Sequence, residues 1–180
     1  MDMDHAPGQS TMMDQNARRT FVEHHRTCIF GFQRKHGPPS MSVVYYVMDG
    51  DDLLISTMAA RAKAKAIART REASLCVLDE NWPLTYLQLY GPAAVEDDYQ
   101  TTVDVMVKVA AIMSGQPLPE AARPIVEAKA REEHRVVIRL MPEWTVYSPP
   151  VHLYAGDDAS KMQHGLAERL PWRRNNGRGR

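Results

Sequence analysis

Apolar and polar positions change their rhythm several times along this chain, and each change marks an element. The opening residues mix Asp, Gly, Ser and Pro without a period, which predicts no packed structure over 1–13. Order is expected from Asp14 or Asn16, either of which suits a helix cap, with a short helix running to about His25. Thr27 to Gln33 then reads as a strand and the turn formers Arg34 to Pro39 as a loop. The β-branched and aromatic run Met41 to Met48 reads as a second strand. Asp49-Gly50 and Asp51-Asp52 supply a tight turn before a third strand, Leu53 to Thr57, and the three together predict an antiparallel meander. At Ala59 the chain turns to Ala, Arg, Lys and Ile through Arg71, a helical composition without Gly or Pro. Strands return at Ala73 to Leu78 and Leu84 to Val95, around a turn at Asp79 to Pro83.

Between Asp98 and Ser114 the apolar residues Val103, Met106, Val107, Ala110 and Met113 recur three or four positions apart, the spacing of one helix face. Gly115 and Pro117 end that helix, and a more polar one is expected from about Glu120 to Glu133. A last strand, Arg135 to Leu140, is expected to continue to Tyr147. Six or more strands, one short helix between the third and fourth, and two helices late in the chain predict an α+β fold, mainly β: an antiparallel barrel with helical additions. The expected organisation is a single domain over 14–150, with a helical insertion at about 98–133 and a flexible, basic tail over 151–180.

Charge narrows the possible partners. With 22 basic and 22 acidic residues the formal net charge is zero, so the whole molecule offers no field for nucleic acid or an anionic membrane, and an anion site has to be local. No apolar run approaches the roughly 20 residues of a membrane helix, and the polar start lacks the pattern of a signal peptide. These observations predict a soluble, cytoplasmic protein. Cys28 and Cys76 each sit in an apolar stretch and read as reduced, buried thiols. No Cys or His pair has zinc-finger spacing, so no metal site is expected.

The segment Ser56-Thr57-Met58-Ala59-Ala60-Arg61-Ala62-Lys63-Ala64-Lys65 is the most informative for chemistry. Two hydroxyls end a strand, and three cations at every second residue open a helix. Cations at the positive end of a helix dipole are unfavourable by about 0.3 to 1 kcal/mol each. A bound phosphate would offset this, and amides at a helix start, hydroxyl donors and an arginine are the parts an anion site needs. Arg61 and Lys63 are therefore candidate phosphate ligands. A solvated basic stripe of Arg61, Lys65 and Arg69 is the competing reading. Trp82, in Asn81-Trp82-Pro83-Leu84-Thr85-Tyr86, offers a surface for a planar ligand or packs in the core. The strand through Val43, Val44 and Tyr45 would present backbone amides and carbonyls to a planar ring. Nothing suggests a nucleophile elbow, a catalytic triad, a Walker loop or a dinucleotide fingerprint. Redox chemistry carried by a cofactor needs few catalytic side chains.

Several of these residues occur in a familiar order: Ile29 to Phe32, His36-Gly37-Pro38-Pro39, Ser42 to Tyr46, Asp49-Gly50-Asp51, Leu54-Ile55-Ser56-Thr57, Arg61-Ala62-Lys63 and Tyr86 to Gly91. This order resembles the pyridoxamine-phosphate-oxidase-like split-barrel flavoproteins. Among them it is most similar to the flavin and deazaflavin oxidoreductases that use coenzyme F420. The resemblance implies an FMN-binding-type split β-barrel and a homodimer with cofactor at the subunit interface. It also implies phosphate held by Arg61 and Lys63 with Ser56 and Thr57 nearby, and Trp82 and Tyr86 near the ring or tail of the cofactor. The implied function is hydride transfer from reduced F420 to a small organic substrate, with FMN as the alternative cofactor. Lys65 and Arg69, with Arg34 and Lys35, would line a basic groove for a polyglutamyl tail. The rival from another class is a flavin or haem carrier without turnover, in which haem would depend on a histidine such as His24 or His152.

Overall fold

A computed structural model describes residues 13–79, 85–147 and 167–173. Asp14 caps the first helix, α1 (Gln15–His24), by accepting from the Ala17 amide at 2.8 Å. Strands β1 (Thr27–Phe32) and β2 (Ser40–Tyr45) pair antiparallel, and β3 (Val47–Asp49) pairs with β4 (Asp52–Met58). Helix α2 (Ala62–Thr70) follows, then β5 (Glu72–Asp79) and the long β6 (Thr85–Glu96). Helices α3 (Tyr99–Ser114) and α4 (Arg123–Glu132) form a hairpin before β7 (Arg135–Leu140), β8 (Trp144–Tyr147) and β9 (Glu168–Pro171).

The main sheet runs β2-β1-β5-β6-β7-β4-β3 and is curled into a split barrel. Strand β6 joins its two halves: its first part pairs with β5 and β8, and its last part, Ala93 to Glu96, pairs with β7. Gly91 sits where the sheets part. A Cβ there would stand 2.6 Å from the Met141 carbonyl and 2.9 Å from the Glu143 amide, so only glycine lets the chain cross so closely.

Burial explains the strand sequences. Leu53, Leu54 and Ile55 are consecutive and all buried, because β4 is covered on both faces. Leu53 and Ile55 join the barrel interior with Phe30, Leu75, Leu87, Leu89 and Ile138. Leu54 faces the other way, against Val47, Val137 and the α3 residues Val105, Val109 and Ile112. By strand alternation Ser56 shares the face of Leu54, beneath the helical hairpin.

Four expectations are corrected. The expected strand Met41 to Met48 is broken at Tyr46, which is buried and donates its hydroxyl to the Val22 carbonyl at 2.6 Å while the chain passes between sheet halves. The meander therefore does not form, since β4 lies between β3 and β7 rather than beside β2. The expected strand from Arg135 to Tyr147 is also two strands, because 141–143 make the crossing at Gly91. Finally, 168–173 does not behave as the expected flexible tail. Strand β9 pairs with β8, and Trp172 is 2% exposed in the barrel core, its indole N–H donating to the Asp51 carbonyl at 2.7 Å. Buried Arg18 donates to Thr145 and to the Pro171 carbonyl, and Gln15 donates to the Trp172 carbonyl.

Candidate functional site

The start of α2 is built unlike those of α1 and α3. Its capping position is Arg61, with extended backbone (φ −71°, ψ 150°) and no side-chain cap, and its first turn holds no acidic residue. The first helical hydrogen bond runs from the Lys65 amide to the Arg61 carbonyl at 3.2 Å, so the amides before it have no acceptor within the helix. The Arg61 side chain is exposed and has no hydrogen-bond or carboxylate partner among the described residues. Lys63, only 9% exposed, donates to the Ser42 hydroxyl at 2.8 Å and stands 5.9 Å from the Phe30 ring centre. Burial, reinforced by the Arg61 charge, lowers its pKa, with Cys28 opposing. On β4, the Ser56 hydroxyl is buried without a partner among the described residues, and Thr57 is 3% exposed. An orphaned hydroxyl, bare helix amides and two cations without counter-charge fit a phosphate-like anion.

These groups line part of a cavity of about 480 Å³. Val43, Val44 and Tyr45 of β2 form a second side. The α3–α4 hairpin forms a third, through Met106, Val109, Ala110 and Met113 of α3 and Ile125 and Val126 of α4, with Lys129 and Arg135 at its border. No carboxylate, histidine or cysteine is among the described residues lining this cavity.

The structure thus brings together seven of the residues singled out from sequence: Val43, Val44, Tyr45, Ser56, Thr57, Arg61 and Lys63. Two others lie apart from it. Lys65 is exposed on α2, and Tyr86 is partly buried on β6 opposite Leu78, neither of them lining the cavity. Trp82 and His152 lie outside the described residues, while His24 is exposed on α1 with Nδ1 2.7 Å from the Thr20 carbonyl oxygen. Arg69 donates to the Gln33 carbonyl at 2.7 Å, which joins the far end of α2 to the loop carrying Arg34 and Lys35. The residues of the hairpin wall were not among those singled out from sequence as site residues. Their signal was present as the spacing of Met106, Ala110 and Met113, read there as a packing face. Cys28 is buried and its thiol pKa is pushed up to about 12, in keeping with an unreactive core residue. Among the described residues no three His, Cys, Asp or Glu side chains are grouped to hold a metal ion, and no helix is long and apolar enough to cross a membrane.

The sequence pattern of the pyridoxamine 5'-phosphate oxidase family matches residues 15–148. The chain belongs to that family. The family binds flavin-type cofactors, and the split barrel described above is its fold. Solved structures agree on the fold. A conserved hypothetical protein from Mycobacterium tuberculosis superposes with a TM-score of 0.69 at 19% identity, covering 85% of this chain and 98% of its own. An F420 reductase gives 0.55 at 21% identity, with 71% and 94% covered. The haem storage protein of Vibrio cholerae gives 0.53 at 16% identity, with 73% and 92% covered. No curated protein matches the sequence.

Proposed function

We propose that this member of the pyridoxamine 5'-phosphate oxidase family is an F420-dependent reductase of a small organic substrate, with FMN as the alternative cofactor. The carrying observation is the group of anion-binding parts lining the cavity: the uncapped start of α2, Arg61 and Lys63 without counter-charge, and the Ser56 hydroxyl without a partner, among the described residues. The fold match to an F420 reductase is compatible with this reading. Arg61 and the α2 amides would hold the cofactor phosphate, with Lys63, which donates to Ser42, as the second cation and Ser56 as the hydroxyl donor, Thr57 being its neighbour on β4. Bound reduced deazaflavin supplies a hydride for an electron-poor carbon, such as that of an activated alkene or imine. The β2 backbone at Val43 to Tyr45 and the apolar hairpin orient the reactants and exclude water. Solvent is the proposed source of the accompanying proton.

The second subunit of the homodimer covers β2. This edge strand exposes Met41 (73%), Val43 (72%) and Tyr45 (36%) on one face beside the cavity, an apolar surface suited to a second copy. The test is equilibrium binding of F420 and FMN, side by side, to wild type, Arg61→Ala and Lys65→Glu. F420 binding that is lost in Arg61→Ala supports the clamp. Weakening of F420 beyond that of FMN in Lys65→Glu supports the tail groove. Binding of FMN alone reassigns the cofactor, and binding of neither refutes the reading.

A further inference from the structure

Arg61, Lys63, Lys129 and Arg135 all line the cavity, and among the described residues no carboxylate lines it with them. Arg61 and Lys63 come from the start of α2, whereas Arg135 comes from the start of β7. In the pairing of β4 with β7, Met58 lies opposite Arg135 and Ser56 opposite Val137. Arg135 and Ser56 are therefore diagonal neighbours on the face beneath the hairpin, a separation that a long side chain can span. Backbone hydrogen bonds tie the two starts together: the Ala59 amide donates to the His134 carbonyl at 2.9 Å, and the Arg61 amide to the Met58 carbonyl at 3.0 Å.

The guanidinium of Arg135 is only partly engaged. Its Nε lies 2.6 Å from the Glu133 carboxylate, and its two terminal nitrogens have no partner among the described residues. That leaves open the forked edge with which an arginine grips two oxygens of one anion. Lys129 is different. Half-exposed, it lies 3.0 Å from Glu132 and 3.4 Å from Glu133, so its charge is already answered.

We propose that Arg135 is a third ligand of the anion seated at Ser56, and that Glu133 is the residue that positions it. The anion is a phosphoryl group, contacted from α2 by Arg61 and Lys63 and from β7 by Arg135, over the Ser56 hydroxyl. This rests on the phosphate seat proposed above, but neither on which cofactor carries the phosphate nor on any reduction. The competing account is a plain surface ion pair, in which Glu133 merely steadies the turn into β7.

The test follows the binding of inorganic phosphate to the full chain by calorimetry, without cofactor. Arg135→Gln weakens binding about tenfold, the loss of one charge-assisted contact. Arg135→Lys, which keeps the charge without the fork, recovers part of that loss. Glu133→Gln and Glu133→Ala remove the same charge, but only the amide still accepts from Arg135 Nε. The alanine variant therefore binds phosphate about threefold more weakly than the glutamine variant, the cost of ordering one long side chain. In the Arg135→Gln background that difference disappears. Melting temperatures stay close to wild type, since both side chains are partly exposed and such pairs contribute little to stability. Wild-type phosphate affinity in Arg135→Gln overturns the proposal and leaves the Arg61 clamp standing. Equal affinities in the two Glu133 variants overturn the positioning role. Phosphate binding that depends on Arg135, while neither F420 nor FMN binds, breaks the reductase reading and leaves Arg135 as a phosphate ligand. Failure of wild type to bind phosphate overturns the proposal and the clamp together.

Discussion

Helices α2 and α3 pack on the same barrel but begin in opposite ways. Asp98 caps α3 by accepting from the Thr101 amide at 2.7 Å, and that hydrogen bond lowers its carboxyl pKa. At the same position α2 has a cation, no side-chain cap and no acid in its first turn. The first arrangement stabilises the fold by itself. The second leaves the helix start without that stabilisation, and on the reading proposed above a bound anion supplies it.

Exchanging the two arrangements should separate the two purposes. Arg61→Asp supplies the missing cap and removes a ligand: phosphate affinity falls by about a hundredfold, the worth of a strong charge-assisted contact. Its melting temperature rises by about 2–4 °C, against a similar fall in Asp98→Ala. Calorimetric melting and phosphate titration of both variants check this; a fall in stability in Arg61→Asp would end the contrast.

Lys63 provides the next largest effect, about tenfold in phosphate affinity across the alkaline range. Because burial and Arg61 lower its pKa from the usual 10.5, the ammonium is lost at a pH where a free lysine still holds its proton. Phosphate affinity therefore falls as pH climbs through that lowered value, and Lys63→Arg, which keeps its charge, flattens the profile. Over the same interval the unliganded fold gains stability, since the unfolded chain still carries the proton that the folded chain has released. Ser56→Ala gives the smallest change: about a fivefold loss of phosphate affinity, one hydrogen bond, with no loss of melting temperature, because the buried hydroxyl has no partner to lose among the described residues.

What could be read from sequence follows from how local the signal was. Asp14 before α1, Gly115 after α3 and the Ser-Thr strand end before Arg61 are short-range chemistry, and each lies where the pattern puts it. The break at Tyr46 was invisible, since a tyrosine among β-branched residues supports a strand and only the distant Val22 carbonyl takes its hydroxyl. The hairpin wall was legible as a stripe but not as a surface. Periodicity reports that Met106, Ala110 and Met113 share a helix face, and says nothing about whether sheet or cavity lies opposite. Strand β9 and Trp172 stand among prolines and charges, where their partners, β8 and the Asp51 carbonyl, are remote in sequence.

Trp172 also bears on how long the folded state lasts. Its carbonyl accepts from Gln15, 157 positions away, and its indole donates to Asp51, 121 positions away, so the contact closes one of the longest loops in the chain. Contacts of such separation are entropically the slowest to assemble, and are expected to form after the main barrier to folding has been crossed. A clasp closed on the native side of the barrier leaves the rate of folding nearly unchanged but must be undone before the barrel opens. The C-terminal strand is then a kinetic lock, setting the lifetime of the barrel and with it the persistence of the cavity.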